Sequence, residues 1–276
     1  MSLSFRELAP AVAETFDRIS QLPVIKYVNE TAWIFAIVET MHLLFLAILG
    51  GAVLILNLRL LGVTLTGLPA RDVERATRPW LILGIGGTIL TGTAMGLTTM
   101  NTLMSSTAFL VKMVALVGAI LFSLAVAREA RREGELVAPR GARLLALAGL
   151  AWWLASLLLF ATGSGLGSGA FLVALAGFTI FAAFTRRLRR IYALGLVTIL
   201  GGGFFVAERI AEARGDEPLW LVLAPLGAAL GFAILIGLLE RRAAGRPRIE
   251  PARLAAFASM LSWITVAAAG RWIGFT

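Results

Sequence analysis

Glu39 and His42 stand three residues apart inside a long apolar run, Trp33 to Asn57, and His42 is the only histidine of the chain. On a helix that spacing puts an acid and an imidazole on one face. Such a pair can pass a proton or orient a polar ligand, and ionisable groups at membrane depth are costly and mark function. The competing reading is an interhelical clamp with no chemistry.

Further polar residues fall toward the same end of their own apolar runs. Lys112, Arg271, Asn101 and Glu208 join Glu39 and His42 as candidate substrate- or proton-binding groups. Ions in apolar surroundings must pair or neutralise, which makes Glu39 with Lys112 or Arg271 the natural pair. Against this, Lys112 and Arg271 can snorkel to headgroups and Glu208 can simply be wet. Asn57 and Arg59, near the other end of the first run, read as structural: a helix-packing hydrogen bond and a charged anchor.

No spacing matches a compact metal motif. His42 with Met95, Met100 and Met260 is the weak set for a soft metal or a haem axial ligand, and methionine also serves as ordinary core filler. One histidine excludes a bis-histidine haem within one chain. The absence of cysteine excludes disulfides, thiolate sites and c-type haem attachment.

The elements that position these residues are membrane helices. The chain is 59% hydrophobic and 15% charged, a composition of a polytopic all-α bundle rather than a soluble domain. Eight apolar segments stand out, at roughly 31–58, 80–103, 108–127, 143–162, 169–185, 191–209, 218–239 and 254–274. The fifth is short and follows the glycine-rich stretch 163–169, read as a hairpin; no lysine follows to make it a phosphate loop. Pro79 suits the first turn of the second span.

The net charge of +9 is patterned as the positive-inside rule predicts, which argues against nucleic acid as a partner. Eighteen bases against seven acids fall in alternate connections, including Arg59, Arg71, Arg128, Arg186 and Arg253; the rest, with both termini, hold seven bases and nine acids. The arginine-rich connections are therefore expected in the cytoplasm and both termini outside. With that orientation Glu39 lies about 12 Å and His42 about 17 Å below the outer start of the first span.

Phe5, Leu8, Val12, Phe16 and Ile19 recur at helical spacing with charges between them. Residues 1–22 thus read as an amphipathic helix on the membrane surface, or as a lid over the bundle. Ala142–Trp153 resembles Ala252–Trp263 at an offset of 110 residues. This suggests two four-span halves, 23–163 and 164–276, related as a parallel repeat; chance likeness among Ala- and Leu-rich helices is the alternative.

The first span, with Glu39-Thr-Met-His42, Gly50-Gly51 and Leu58-Arg-Leu-Leu-Gly62, resembles a family of small bacterial inner-membrane proteins with no assigned function. Pro79-Trp80 through Lys112, and Ala252-Arg-Leu254 through Gly270-Arg-Trp-Ile-Gly-Phe275, are similar too. The resemblance implies about four spans, with the middle of this chain as an addition. It also implies an aspartate where Asn57 stands and a second histidine near Phe122-Ser123-Leu124, and this chain departs from both.

Three functions follow as expectations. The first is binding or transport of a small, amphipathic substrate through an outward-facing polar pocket. The second is a quinone- or haem-associated redox subunit, with Trp33, Phe35, Phe45 and Trp263 lining a quinone ring. The third is a scaffold or homo-oligomer whose glycines permit close helix contact. No residue stands out as a catalytic nucleophile, and the sequence names no cofactor.

Overall fold

Helices carry the described chain, because lipid offers the backbone no other partner. The computed structural model describes residues 4–132, 140–163, 169–243 and 250–275. Three short helices come first: α1 (Phe5–Leu8), α2 (Pro10–Ser20) and α3 (Pro23–Glu30). The bundle follows as α4 (Ala32–Leu61), α5 (Ala70–Ser105), α6 (Thr107–Arg131), α7 (Arg140–Ala161) and α8 (Ala170–Phe181). It is completed by α9 (Arg189–Val197), a π-helical turn Thr198–Gly202 leading into α10 (Gly203–Arg214), then α11 (Leu219–Ala243) and α12 (Pro251–Trp272).

Among the described residues, seven helical runs are long and apolar enough to cross a membrane: α4, α5, α6, α7, α9 through α10, α11 and α12. The chain is thus a multi-pass integral membrane protein. The eighth expected span is the short one, Ala170–Phe184. Its ends still reach opposite ends of the bundle. A Cβ on Gly169, at its start, would fall 3.1 Å from Trp272 at the end of α12. At its far end Ala183 O accepts from Arg253, at the start of α12. The glycine stretch before it lies mostly outside the described residues.

Antiparallel contacts fix the arrangement. Arg253 Nη2 donates to Leu61 O at 2.9 Å, so α12 begins where α4 ends. The same end holds Arg59, Arg78, Arg131 and Arg187 and is called the arginine-rich end below; the start of α4 and the end of α12 share the terminal end. α12 is the central helix. Its small buried side chains, Ala255, Ala258, Ser259, Ser262 and Ala269 among them, let it pack against α4, α6, α7 and α8. α4 and α5 also approach closely: a Cβ on Gly84 would lie 2.8 Å from Leu49 Cα, and one on Gly87 would enter the Phe45 ring.

α4 stops where Gly62 turns left-handed, φ +74°, and the Gly62 and Val63 amides bond back to Arg59 and Leu58. α5 then begins at Ala70, before its apolar part, so Pro79 sits inside the helix rather than in its first turn. Its charged start is held because Val73 and Ala70 bury against Leu61, Val126 and Ala130. The buried Glu74 carboxylate accepts two bonds from Arg78 one turn on, at 2.9 and 2.7 Å. That segment reads as a polar loop by composition; its apolar face is only three residues wide.

The N-terminal segment is broken, not continuous. Ser4 caps α1, Pro10 opens α2 and Ala9 between them leaves the helical region. Phe5, Ala13 and Phe16 pack on Met100, Leu103, Met104 and Phe109, with Ile273 from the chain's other end. These contacts set α1 and α2 against the terminal ends of α5 and α6.

Candidate functional site

His42 lies on the face of α4 turned toward α5, 9% exposed. Its Nδ1 is 2.8 Å from Thr91 Oγ1. The Thr91 hydroxyl donates its single proton to Gly87 O at 2.6 Å, as threonines in helices commonly do. Toward His42 it can then only accept. Nδ1 therefore carries the proton, and in the neutral ring Nε2 keeps its lone pair. Among the described residues Nε2 has no hydrogen-bond partner. Gly92 makes room for the ring: a Cβ there would stand 3.1 Å from His42 Cε1.

Lys112 enters from α6. It is half-buried, and its stem and ammonium run beside Gly270 of α12, whose added Cβ would lie 3.7 Å from both Cε and Nζ. Among the described residues Nζ has neither an ion pair nor a hydrogen bond. His42 and Thr91, paired across α4 and α5, and Lys112, beside Gly270 between α6 and α12, are polar groups in the half of the bundle nearer the terminal end. One imidazole acceptor and one ammonium donor face apolar surroundings there.

Glu39 does not join them. It is exposed on the bundle surface and makes no ion pair with Lys112 or Arg271. Residues three apart differ by about 60° around the axis, and with His42 turned inward that angle carries Glu39 out of the contact. Arg271 follows Gly270 on α12 and is exposed. Glu208 is exposed on α10, which packs against α11 away from these groups. The side chain of Asn101 lies outside the described residues.

Two of the candidate thioethers pack away from His42. Met100 fills the apolar cluster beneath α2, and Met260 fills one at the arginine-rich end with Leu56 and Val126. Met95 is half-buried on α5. Among the described residues no three of His, Cys, Asp or Glu group as metal ligands.

A polar cluster lies deeper. Asn57, 2% exposed, donates from Nδ2 to Val53 O at 2.9 Å and to Ser259 Oγ at 3.4 Å. Ser259 Oγ is 3.4 Å from Ser123 Oγ, which accepts from Trp263 Nε1 at 2.8 Å. This chain of bonds ties α4, α6 and α12 together. Arg59 Nε donates to Leu68 O at 2.6 Å and so closes the turn after α4.

Sequence reasoning passed over Thr91, Ser123, Ser259, Glu74 and Glu240. Thr88 and Thr91, one turn apart on a glycine-lined face, were the legible signal for the first. Glu240 carried none: its partners are the backbone amides of Arg186, Arg187 and Leu188, at 2.8, 2.8 and 3.0 Å. No composition or period reports a backbone partner more than fifty residues away.

No curated protein matches the chain, and no solved structure does. A family model matches residues 19–168 and 180–276, so the middle that the resemblance reads as an addition is largely part of the matched region. The first matched segment holds four of the long helical runs and the second holds the other three. The chain belongs to that family, described as a family of unknown function (DUF6644).

Proposed function

We propose that this membrane protein binds, and moves or presents, a small amphipathic molecule with an acidic head, at a site made by His42, Thr91 and Lys112. The observation that carries the reading is the Lys112 ammonium. It is half-buried beside a glycine, with no counter-ion among the described residues. A buried ammonium is costly unless paired, and an anionic head with an apolar tail supplies both the charge and the surroundings. His42 Nε2 accepts a hydrogen bond from any hydroxyl on that head, its ring fixed by Thr91. The protein sits in the bacterial inner membrane with its arginine-rich end in the cytoplasm, by the positive-inside rule. The site then opens toward the extracytoplasmic half, beneath the lid of α1 and α2.

The test is equilibrium binding of a fluorescent medium-chain carboxylate to the full-length protein in nanodiscs, with the matched neutral alcohol as the comparison. Carboxylate preference that falls at least tenfold in Lys112→Met supports the reading. Equal binding of acid and alcohol, or no change in Lys112→Met, defeats it.

A further inference from the structure

Asn57, Ser123, Ser259 and Trp263 form a chain of hydrogen bonds whose protons and lone pairs do not balance. Trp263 Nε1 gives its proton to Ser123 Oγ, and Asn57 Nδ2 gives its two to Val53 O and Ser259 Oγ. The serine hydroxyls share one further bond, so one of their two protons is used and one is left over. At the other end Asn57 Oδ1 is fully buried and accepts from nothing. Turning the amide over does not help, because its oxygen would then face the Val53 carbonyl at 2.9 Å. The cluster therefore holds one spare hydroxyl proton and one spare carbonyl acceptor. Ser259, with 0% exposure and a long 3.4 Å contact to Asn57, stands nearer that acceptor than Ser123 does along the chain of bonds.

We propose that a single ordered water is bound here, accepting from the Ser259 hydroxyl and donating to Asn57 Oδ1. The arrangement follows when Ser123 donates to Ser259, which frees the Ser259 proton for the water. A water completes both unmet groups at once, and buried waters make about three such bonds to otherwise unmatched polar groups. A metal cation fits poorly: the Trp263 and Asn57 protons already point at the two hydroxyl oxygens, leaving Oδ1 as the one oxygen with no donor aimed at it. The site lies on α4, α6 and α12 and does not depend on the ligand reading above. It makes the contact between these helices a hydrated one, in which a proton-bearing group bridges the first and last spans.

The experiment is a map of the full-length protein resolved well enough for waters, in sodium buffer and in sodium-free buffer, for the native chain and for Ser259→Ala. A peak about 2.8 Å from both Asn57 Oδ1 and Ser259 Oγ, present in both buffers and lost in Ser259→Ala, is expected. The Trp263 indole N–H signal should keep its position in that variant, since Ser123 still accepts from it. A peak that requires sodium overturns the proposal. So does one that survives Ser259→Ala unchanged, or an Asn57 Oδ1 found bonded directly to a protein donor.

Discussion

Glu39 and His42 are neighbours on one face of α4 by sequence, and the structure divides them: His42 turns inward onto Thr91 while Glu39 stands on the surface. The helical pitch sets the division, since residues three apart point about 60° from each other around the axis. Ligand binding should therefore be more sensitive to His42→Gln than to Glu39→Gln. Titration of both variants with the fluorescent carboxylate checks the order. A larger loss in Glu39→Gln would place the site on the surface instead.

The bond to Thr91 also determines which nitrogen of the imidazole bears the proton. Because His42 is the sole histidine, labelling with 15N-histidine gives one pair of ring signals in the whole protein. At alkaline pH Nδ1 should show the protonated shift and Nε2 the bare one. Thr91→Val removes the acceptor and should return the ring toward the tautomer mixture of free histidine, at a stability cost of about 1 kcal/mol. A protonated Nε2 in the native chain would refute the assignment.

The fold was more legible than the site, for a physical reason. Span count and order follow from apolar run length and from where arginines fall, both properties of the chain alone. The first span emerged close to where its apolar run lies, and the fifth run emerged as the short helix Ala170–Phe184. α5 began ten residues early because a three-residue face of Ala70, Val73 and Thr77 and the Glu74–Arg78 pair extend it through charged sequence. The side chains that meet are fixed by rotation about each helix axis. Glu39 was expected to face inward and Ser259 was not singled out, because neighbouring helices decide those rotations.

Glu240 is the deepest example, and its removal has a calculable direction. Its carboxylate takes three consecutive backbone amides at the start of α9, groups with no helical partner of their own. Glu240→Ala takes the acceptor from those part-buried bonds and should destabilise the protein by about 1.5–3 kcal/mol, the range for hydrogen bonds to charged groups. Glu240→Gln should fall between, because its amide nitrogen cannot accept from one of the three. Thermal unfolding in a single detergent reads the series; equal midpoints for all three proteins would deny the carboxylate this role.

Helix approach can be tested with alanine, because glycines here have opposite surroundings. An alanine Cβ at Gly87 meets the Phe45 ring, whereas at Gly227 and Gly231 it meets nothing within 4 Å. Gly87→Ala should cost about 1–3 kcal/mol through displacement of Phe45. Gly227→Ala and Gly231→Ala should be neutral or slightly stabilising, as alanine favours helix over glycine by about 1 kcal/mol. If the α11 glycines proved as sensitive as Gly87, a second copy of the chain would have to be packed against them.

The lid should loosen in acid. Arg6 binds Asp17 through two 3.0 Å hydrogen bonds that fasten α1 onto α2, and these bonds hold the Asp17 carboxyl below the ordinary aspartate range. A carboxylate with a lowered value in the folded state contributes its full stabilisation above the unfolded value, and loses it as pH falls through the folded one. Taken against the intrinsic exchange rate at each pH, the protection of α1 amides should therefore be lower below about pH 4 than at neutrality, with that of the buried amides of α12 unchanged. Both partners are exposed, so salt should produce a similar, smaller loosening at neutral pH. Asp17→Asn should give the acid behaviour at every pH, and protection of α1 that ignores both pH and this substitution would mean that Phe5 on Phe109 alone holds the lid.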